Sequence, residues 1–262
     1  MIIYPPSNPV AFYFLNMPVR WYGIILASAI FFGLMLCFYL IKKFKSEVDL
    51  DTFSDLSPIV IFTSIIGARL FYVLGDISYY SKNLNEIIMI NHGGISIYGA
   101  IVFGIITIFI YSRRKKINML SYCDIIACVL PICQSIGRWG NFINQEAYGS
   151  PYDGFLKMYI DREFRYGKYI DQQYYHPTFL YESILDFMLF LILLFVFIKL
   201  KNIKTGTIFI LYLLLYSIIR IIVELYRIDS VCYFLNIPIA IWISALIFIF
   251  TTLFAIIFFK KA

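Results

Sequence analysis

Residues 21–41 read WYGIILASAIFFGLMLCFYLI, twenty-one residues without a charged side chain, and KKFK follows at 42–45. A helix needs about 20 predominantly apolar residues to cross the hydrocarbon core of a bilayer, so this stretch predicts a membrane span closed by a basic stop. Six more such runs follow, roughly at 58–75, 94–112, 120–137, 178–198, 206–225 and 238–259. The predicted fold class is an all-α polytopic membrane protein with seven transmembrane helices. Whole-chain composition points the same way: of 262 residues, 61% are hydrophobic and 15% charged, against about 45–50% and about 25% in soluble domains. Mean hydropathy is +0.80. These figures exclude a soluble two-domain enzyme, and 26 Phe and 22 Tyr exclude a disordered chain.

Charge sets the expected orientation. RRKK at 113–116, KLKNIK at 199–204 and Lys260-Lys261 follow spans three, five and seven as KKFK follows span one, and together these clusters hold twelve of the 22 basic residues. The positive-inside rule makes that side cytoplasmic, so the N-terminus is expected outside and the C-terminus in the cytoplasm. The formal charge of +6 then marks topology, and no nucleic acid is expected as a partner. Residues 1–20 lack the basic start of a signal peptide and hold Pro5, Pro6, Pro9 and Pro18; they read as an uncleaved interfacial arm. The chain reads as one integral membrane domain, 1–262, with a small extracytoplasmic head insertion at 138–177. No internal repeat is read in it, which weighs against transporters built from duplicated halves.

Ionisable residues inside spans are costly and usually functional. Arg69 lies in the outer half of span two and Arg220 in the outer half of span six, where Glu224 at i,i+4 and Arg227 at i,i+7 continue one stripe. Tyr181, Glu182 and Asp186 open span five, Arg138 closes span four, Tyr98 lies a turn into span three, and Arg20, Trp21 and Tyr22 open span one. Each has a structural reading: Arg220 with Glu224 as an ion pair, Arg138 snorkelling to the interface, Tyr22 and Tyr98 as aromatic-belt residues. Together they gather at the expected depth of phospholipid phosphates, and arginine offers paired donors for phosphate. The pattern predicts a site for an anionic lipid headgroup, where a neutralised phosphate also becomes a better leaving group.

The densest motif leaves span four: GRWGNFINQEAYG, Gly137 to Gly149. It sets Arg138 beside two carboxamides, Asn141 and Asn144, with Glu146 close behind and Gly137 and Gly140 permitting close backbone approach. This pattern resembles the signature of the prolipoprotein diacylglyceryl transferases. The resemblance extends through RWYG at 20–23, GARLFYV at 67–73, HGGISIYGA at 92–100, HPTFLYES at 176–183 and YSIIRIIVELYR at 216–227. It implies a bacterial enzyme of the cytoplasmic (inner) membrane, its active site facing the outer leaflet. That enzyme transfers the diacylglyceryl group of phosphatidylglycerol to the lipobox cysteine thiol of a prolipoprotein signal peptide, forming a thioether and releasing glycerol phosphate. No nucleotide, metal or other cofactor is implied.

Carried onto this chain, the resemblance implies Arg138, Arg220 and Tyr98 as catalytic candidates. For phosphatidylglycerol it implies Arg138, Asn141, Asn144, Glu146, Gly149, Tyr22, Glu182, Tyr216, Glu224 and Arg227. One position departs from the family pattern, in which the glycine-rich start of span three often carries a histidine; here it is Tyr98. A phenol with a pKa near ~10 is a poor general base at neutral pH. Either the base lies elsewhere or this residue only hydrogen-bonds, and His92 and His176, both at outer span ends, are the alternatives. A thiol beside a cationic cluster needs only a modest downward shift to supply thiolate, so a dedicated base is not required on this reading. Cys37, Cys123, Cys128, Cys133 and Cys232 lack ligand spacing and predict neither a disulfide framework nor a metal site. A polyprenyl-phosphate enzyme would need a nucleophile or an acidic metal cluster of its own, and a transporter would place charge through the whole membrane depth.

Overall fold

A computed structural model describes residues 1–44, 47–89, 93–200, 203–229 and 233–260. Among the described residues seven helices are long and apolar enough to cross a membrane: α1 Trp21–Phe44, α2 Leu50–Gly75, α4 Ile97–Lys115, α5 Met119–Ile143, α6 Thr178–Lys199, α7 Thr207–Glu224 and α8 Ile239–Lys260. A short helix α3, Ile77–Tyr80, follows α2. Two spans run well beyond the apolar runs that predicted them. α2 starts at Leu50 rather than near 58, because Asp49 Oδ2 caps it by accepting from Thr52 N at 2.8 Å. α5 continues to Ile143, so the motif's Arg138, Gly140 and Asn141 are helical.

Two compact units divide the chain, residues 40–123 and the remainder, with boundaries inside α1 and α5. In unit 40–123, α2 packs on α4 through facing glycines, where a Cβ on Gly67 would press on Phe103 and the Gly99 carbonyl. Arg69, on α2, is consumed in this unit. Its Nε donates to Ile87 O at 2.9 Å, its Nη1 to Gly93 O at 2.7 Å and Gly94 O at 2.8 Å, and its Nη2 to Glu86 O. Four of its five N–H donors are thus spent on backbone carbonyls, which ties this guanidinium to the chain around Glu86–Ile87 and Gly93–Gly94, a structural role rather than the headgroup role its grouping with the other outer arginines suggested.

The larger unit holds the head. Strands β1 Ile2–Ile3, β4 Lys157–Tyr159 and β5 Tyr174–Tyr175 make a small sheet, β1 parallel and β5 antiparallel to β4. The first residues, read as an interfacial arm, thus supply a strand to the head before turning into the hairpin of β2 Val10–Phe14 and β3 Met17–Arg20. Tyr148, Met158, Ile160, Tyr175 and Phe179 form the head's core. A second hairpin, β6 Tyr233–Phe234 with β7 Ile237–Pro238, leads into α8 as the first leads into α1. Both hairpins turn on a Leu-Asn pair at positive φ, Leu15 and Asn16 at 47° and 62°, Leu235 and Asn236 at 51° and 60°. The sequences match, YFLNMPV at 13–19 and YFLNIPI at 233–239, which corrects the reading of a chain without repeats; seven residues separated by more than two hundred are too short to show as a periodic signal.

α5 is the most enclosed of the spanning helices and organises the larger unit. Its Ser135 hydroxyl lies 3.0 Å from that of Ser183 on α6. Its Asp124 accepts from Gly206 N at 2.6 Å and Phe209 N at 2.8 Å, capping the start of α7. Those ties fix the register in which α5, α6 and α7 present polar groups toward the head.

Candidate active site

α5 brings Arg138 and Asn141, α6 brings Glu182 and Asp186, and α7 brings Tyr216, Arg220 and Glu224. Glu182, 2% exposed, is where they meet. Its Oε1 accepts from Arg138 Nη2 at 2.5 Å and lies 3.5 Å from Arg220 Nη1. Arg220 Nη2 reaches Glu224 Oε2, one turn on, at 2.6 Å. Arg227, past the end of α7, is 4.0 Å from Glu224 and forms a two-point pair with Asp229 at 2.8 and 2.6 Å. Two guanidinium groups from separate spans therefore face one buried carboxylate. Arg220 Nη1 is itself buried and, beyond this ion pair, makes no hydrogen bond among the described residues.

Beyond Arg138 the motif folds back on itself. Arg138 Nη1 approaches Asn141 Oδ1 at 3.5 Å. Gln145 and Ala147, at φ 54° and 56°, bend the chain after α5, and Glu146 returns to the helix end, its N–H donating to Asn141 O at 3.0 Å. Glu146 Oε1 accepts from Asn141 Nδ2 at 2.8 Å and Asn144 Nδ2 at 3.4 Å. Asn144 Oδ1 is buried and meets no donor among the described residues. A Cβ on Gly140 would run into the Tyr22 ring, whereas one on Gly137 would meet nothing within 4 Å. Only Gly140, then, serves close packing as the sequence suggested; Gly137 borders open space next to Arg138. Gly149 lies against the head: its N–H donates to His176 O at 3.0 Å, and a Cβ there would sit 2.7 Å from that of His176.

Tyr216 stacks on Tyr212 with ring centroids 5.5 Å apart, one turn before Arg220 on the same α7 stripe. Tyr98, 47% exposed, lies in the first turn of α4, in the unit of residues 40–123. His92 is outside the described residues. His176 stacks on Tyr152 at 3.9 Å, and its Nδ1 is 3.2 Å from the Tyr181 hydroxyl, in a cleft also lined by Leu185, Ile222 and Tyr226. Burial pulls its pKa below the ordinary imidazole value.

Each arginine of the cluster carries a counter-charge: Arg138 and Arg220 on Glu182, Arg220 on Glu224, Arg227 on Asp229. The site offers aimed donors rather than surplus positive charge, which removes much of the basis for forming thiolate by cation proximity alone. Two further carboxylates take part that the sequence pattern does not single out. Asp229, two residues beyond Arg227, takes its Nε and one Nη2 donor as a two-point pair. Asp186, seen only as opening span five, is 0% exposed with neither oxygen hydrogen-bonded among the described residues; its i,i+4 spacing from Glu182 was the available signal.

Residues 9–257 match the family model described as prolipoprotein diacylglyceryl transferase. A Clostridium botulinum (strain Loch Maree / Type A3) protein named phosphatidylglycerol--prolipoprotein diacylglyceryl transferase is 38% identical over 254 residues, covering 97% of this chain and 98% of its own. Proteins of the same name from Listeria innocua and Acaryochloris marina are 42% identical over 227 residues and 40% over 228, covering 86% and 87% of this chain and 80% and 82% of their own. A family model matching residues 9–257 and relatives 38–42% identical over most of the chain mean that it belongs to the prolipoprotein diacylglyceryl transferase family.

Proposed function

We propose that the cluster around Glu182 binds the phosphate of phosphatidylglycerol and catalyses transfer of its diacylglyceryl group to the lipobox cysteine of a prolipoprotein. The observation carrying this reading is the convergence of Arg138 and Arg220 on one buried carboxylate, with Arg220 Nη1 left without a hydrogen bond among the described residues. That donor is held in position by Glu224 and Glu182 and awaits an acceptor, and a phosphate oxygen suits a guanidinium fork. The substrate sulfur attacks the glyceryl carbon next to the phosphate, the carbon–oxygen bond breaks, and its electron pair leaves with glycerol phosphate. As negative charge grows on the departing phosphate, the two guanidinium groups hold it.

Glu146, with Asn141 and Asn144 on its Oε1, shapes the headgroup end; the buried Asn144 Oδ1 accepts from a glycerol hydroxyl. Tyr22 backs the motif helix at Gly140, Gly149 keeps the head close to it, and Tyr216 and Arg227 complete the wall. The basic clusters after α1, α4, α6 and α8 support a cytoplasmic (inner) membrane orientation with the N-terminus outside and this site at the outer leaflet. The test is incubation of purified protein with phosphatidylglycerol and a lipobox peptide. The peptide should gain the mass of one diacylglyceryl group, and a Cys→Ser peptide should gain none. Lipid movement between vesicles without that mass gain would mean transport instead.

A further inference from the structure

Most acidic groups around the cluster are already engaged. Arg138 and Arg220 hold Glu182, Arg220 holds Glu224, two carboxamides hold Glu146, and Arg227 holds Asp229. Asp186 differs: it is fully buried, and neither of its oxygens accepts a hydrogen bond among the described residues. It stands one turn beyond Glu182 on the same α6 stripe, at about 5–6 Å between Cβ atoms. The charged and titratable groups facing it are Glu182 on α6, Arg138 on α5, and Tyr212, Tyr216 and Arg220 on α7. An enclosed carboxyl without partners costs free energy, and inside a membrane span such a group marks function.

Joining a thiol to carbon releases a proton, and the paired arginines do not by themselves account for its removal. Tyr98 is a phenol. His176 is committed to the tyrosine-lined cleft on the flank of α6 that bears Tyr181 and Leu185. We propose that Asp186 is the general base that takes the proton from the lipobox thiol, an assignment that rests on the transferase reading above. The S–H proton passes to an Asp186 oxygen as the sulfur–carbon bond forms and the carbon–oxygen bond breaks, the electron pair leaving with the phosphate. The protonated carboxyl then hands its proton to the departing glycerol phosphate, whose second ionisation lies near ~6. The base is thereby restored, and no further reactant enters.

Asp186→Asn keeps the shape and removes the basicity. With phosphatidylglycerol and a lipobox peptide, kcat at pH 7 should fall roughly 100- to 10,000-fold, while KM for phosphatidylglycerol stays within about threefold. The deficit should shrink as pH rises toward the ordinary thiol value near ~8.5, because preformed thiolate needs no base. Asp186→Glu should restore a large part of the neutral-pH rate. A kcat within about threefold of wild type at pH 7, or a deficit equal at every pH, overturns the assignment; the second outcome means a structural role, and an unfolding midpoint lowered as much in Asp186→Asn as in Asp186→Leu would accompany it. Absence of transfer by the wild-type protein would instead remove the transferase reading, and this assignment with it.

Discussion

Replacing Arg138 or Arg220 by lysine keeps the charge and removes the fork. Arg220 spans 2.6 Å to Glu224 with one terminal nitrogen and 3.5 Å to Glu182 with the other, a reach that a single ammonium nitrogen cannot cover. Whichever carboxylate a lysine chose, the donor aimed at the phosphate would be lost. One charge-assisted hydrogen bond contributes about 1.5–3 kcal/mol, which at about 1.4 kcal/mol per tenfold is roughly a 10- to 150-fold loss in kcat/KM. Phosphate gains charge as the carbon–oxygen bond breaks, so the loss should fall on kcat more than on KM. Initial rates of diacylglyceryl transfer across a range of phosphatidylglycerol concentrations, on variants matched for thermal unfolding, measure it. If Arg138→Lys and Arg220→Lys both stay within about threefold of wild type, two-point neutralisation of the phosphate is wrong.

Glycine substitutions on α5 should diverge. Gly140→Ala drives a methyl into the Tyr22 ring and should cost about 1–3 kcal/mol of stability; Gly137→Ala has room and should raise the unfolding midpoint slightly, as alanine does in a helix. A thermal-shift series separates them, and equal destabilisation would contradict the packing described. Tyr98→Phe should keep turnover near wild type, since a half-exposed phenol is a poor base; a loss beyond tenfold at unchanged KM would return it to proton transfer. His176, whose pKa burial lowers, stays neutral in the folded head while the unfolded chain protonates near ~6.5. Its contribution is therefore complete above that pH and is lost as pH falls through the folded-state value. Unfolding midpoints at pH 8 and pH 5 should differ more in wild type than in His176→Asn, and identical differences would count against it.

Seven spans, their order, the basic clusters and the GRWGNFINQEAYG motif are legible in the linear chain because each is a local property: twenty apolar residues announce a helix whatever surrounds them, and basic clusters mark span ends whatever the helices touch. The stripe Arg220, Glu224, Arg227 is equally local, being helical periodicity. What partner each charge takes is not. Arg69 and Arg138 read alike as outer arginines, yet one is spent on four backbone carbonyls and the other on a carboxylate of the next spanning helix. The Leu-Asn hairpins are not legible in the linear chain because a turn's meaning depends on the strands it joins. Asp186 makes the same point most sharply: its position on α6 follows from periodicity, but its lack of a hydrogen-bond partner among the described residues depends on where three separate helices direct their hydrogen bonds, and burial and pairing are properties of packed neighbours that no stretch of sequence contains.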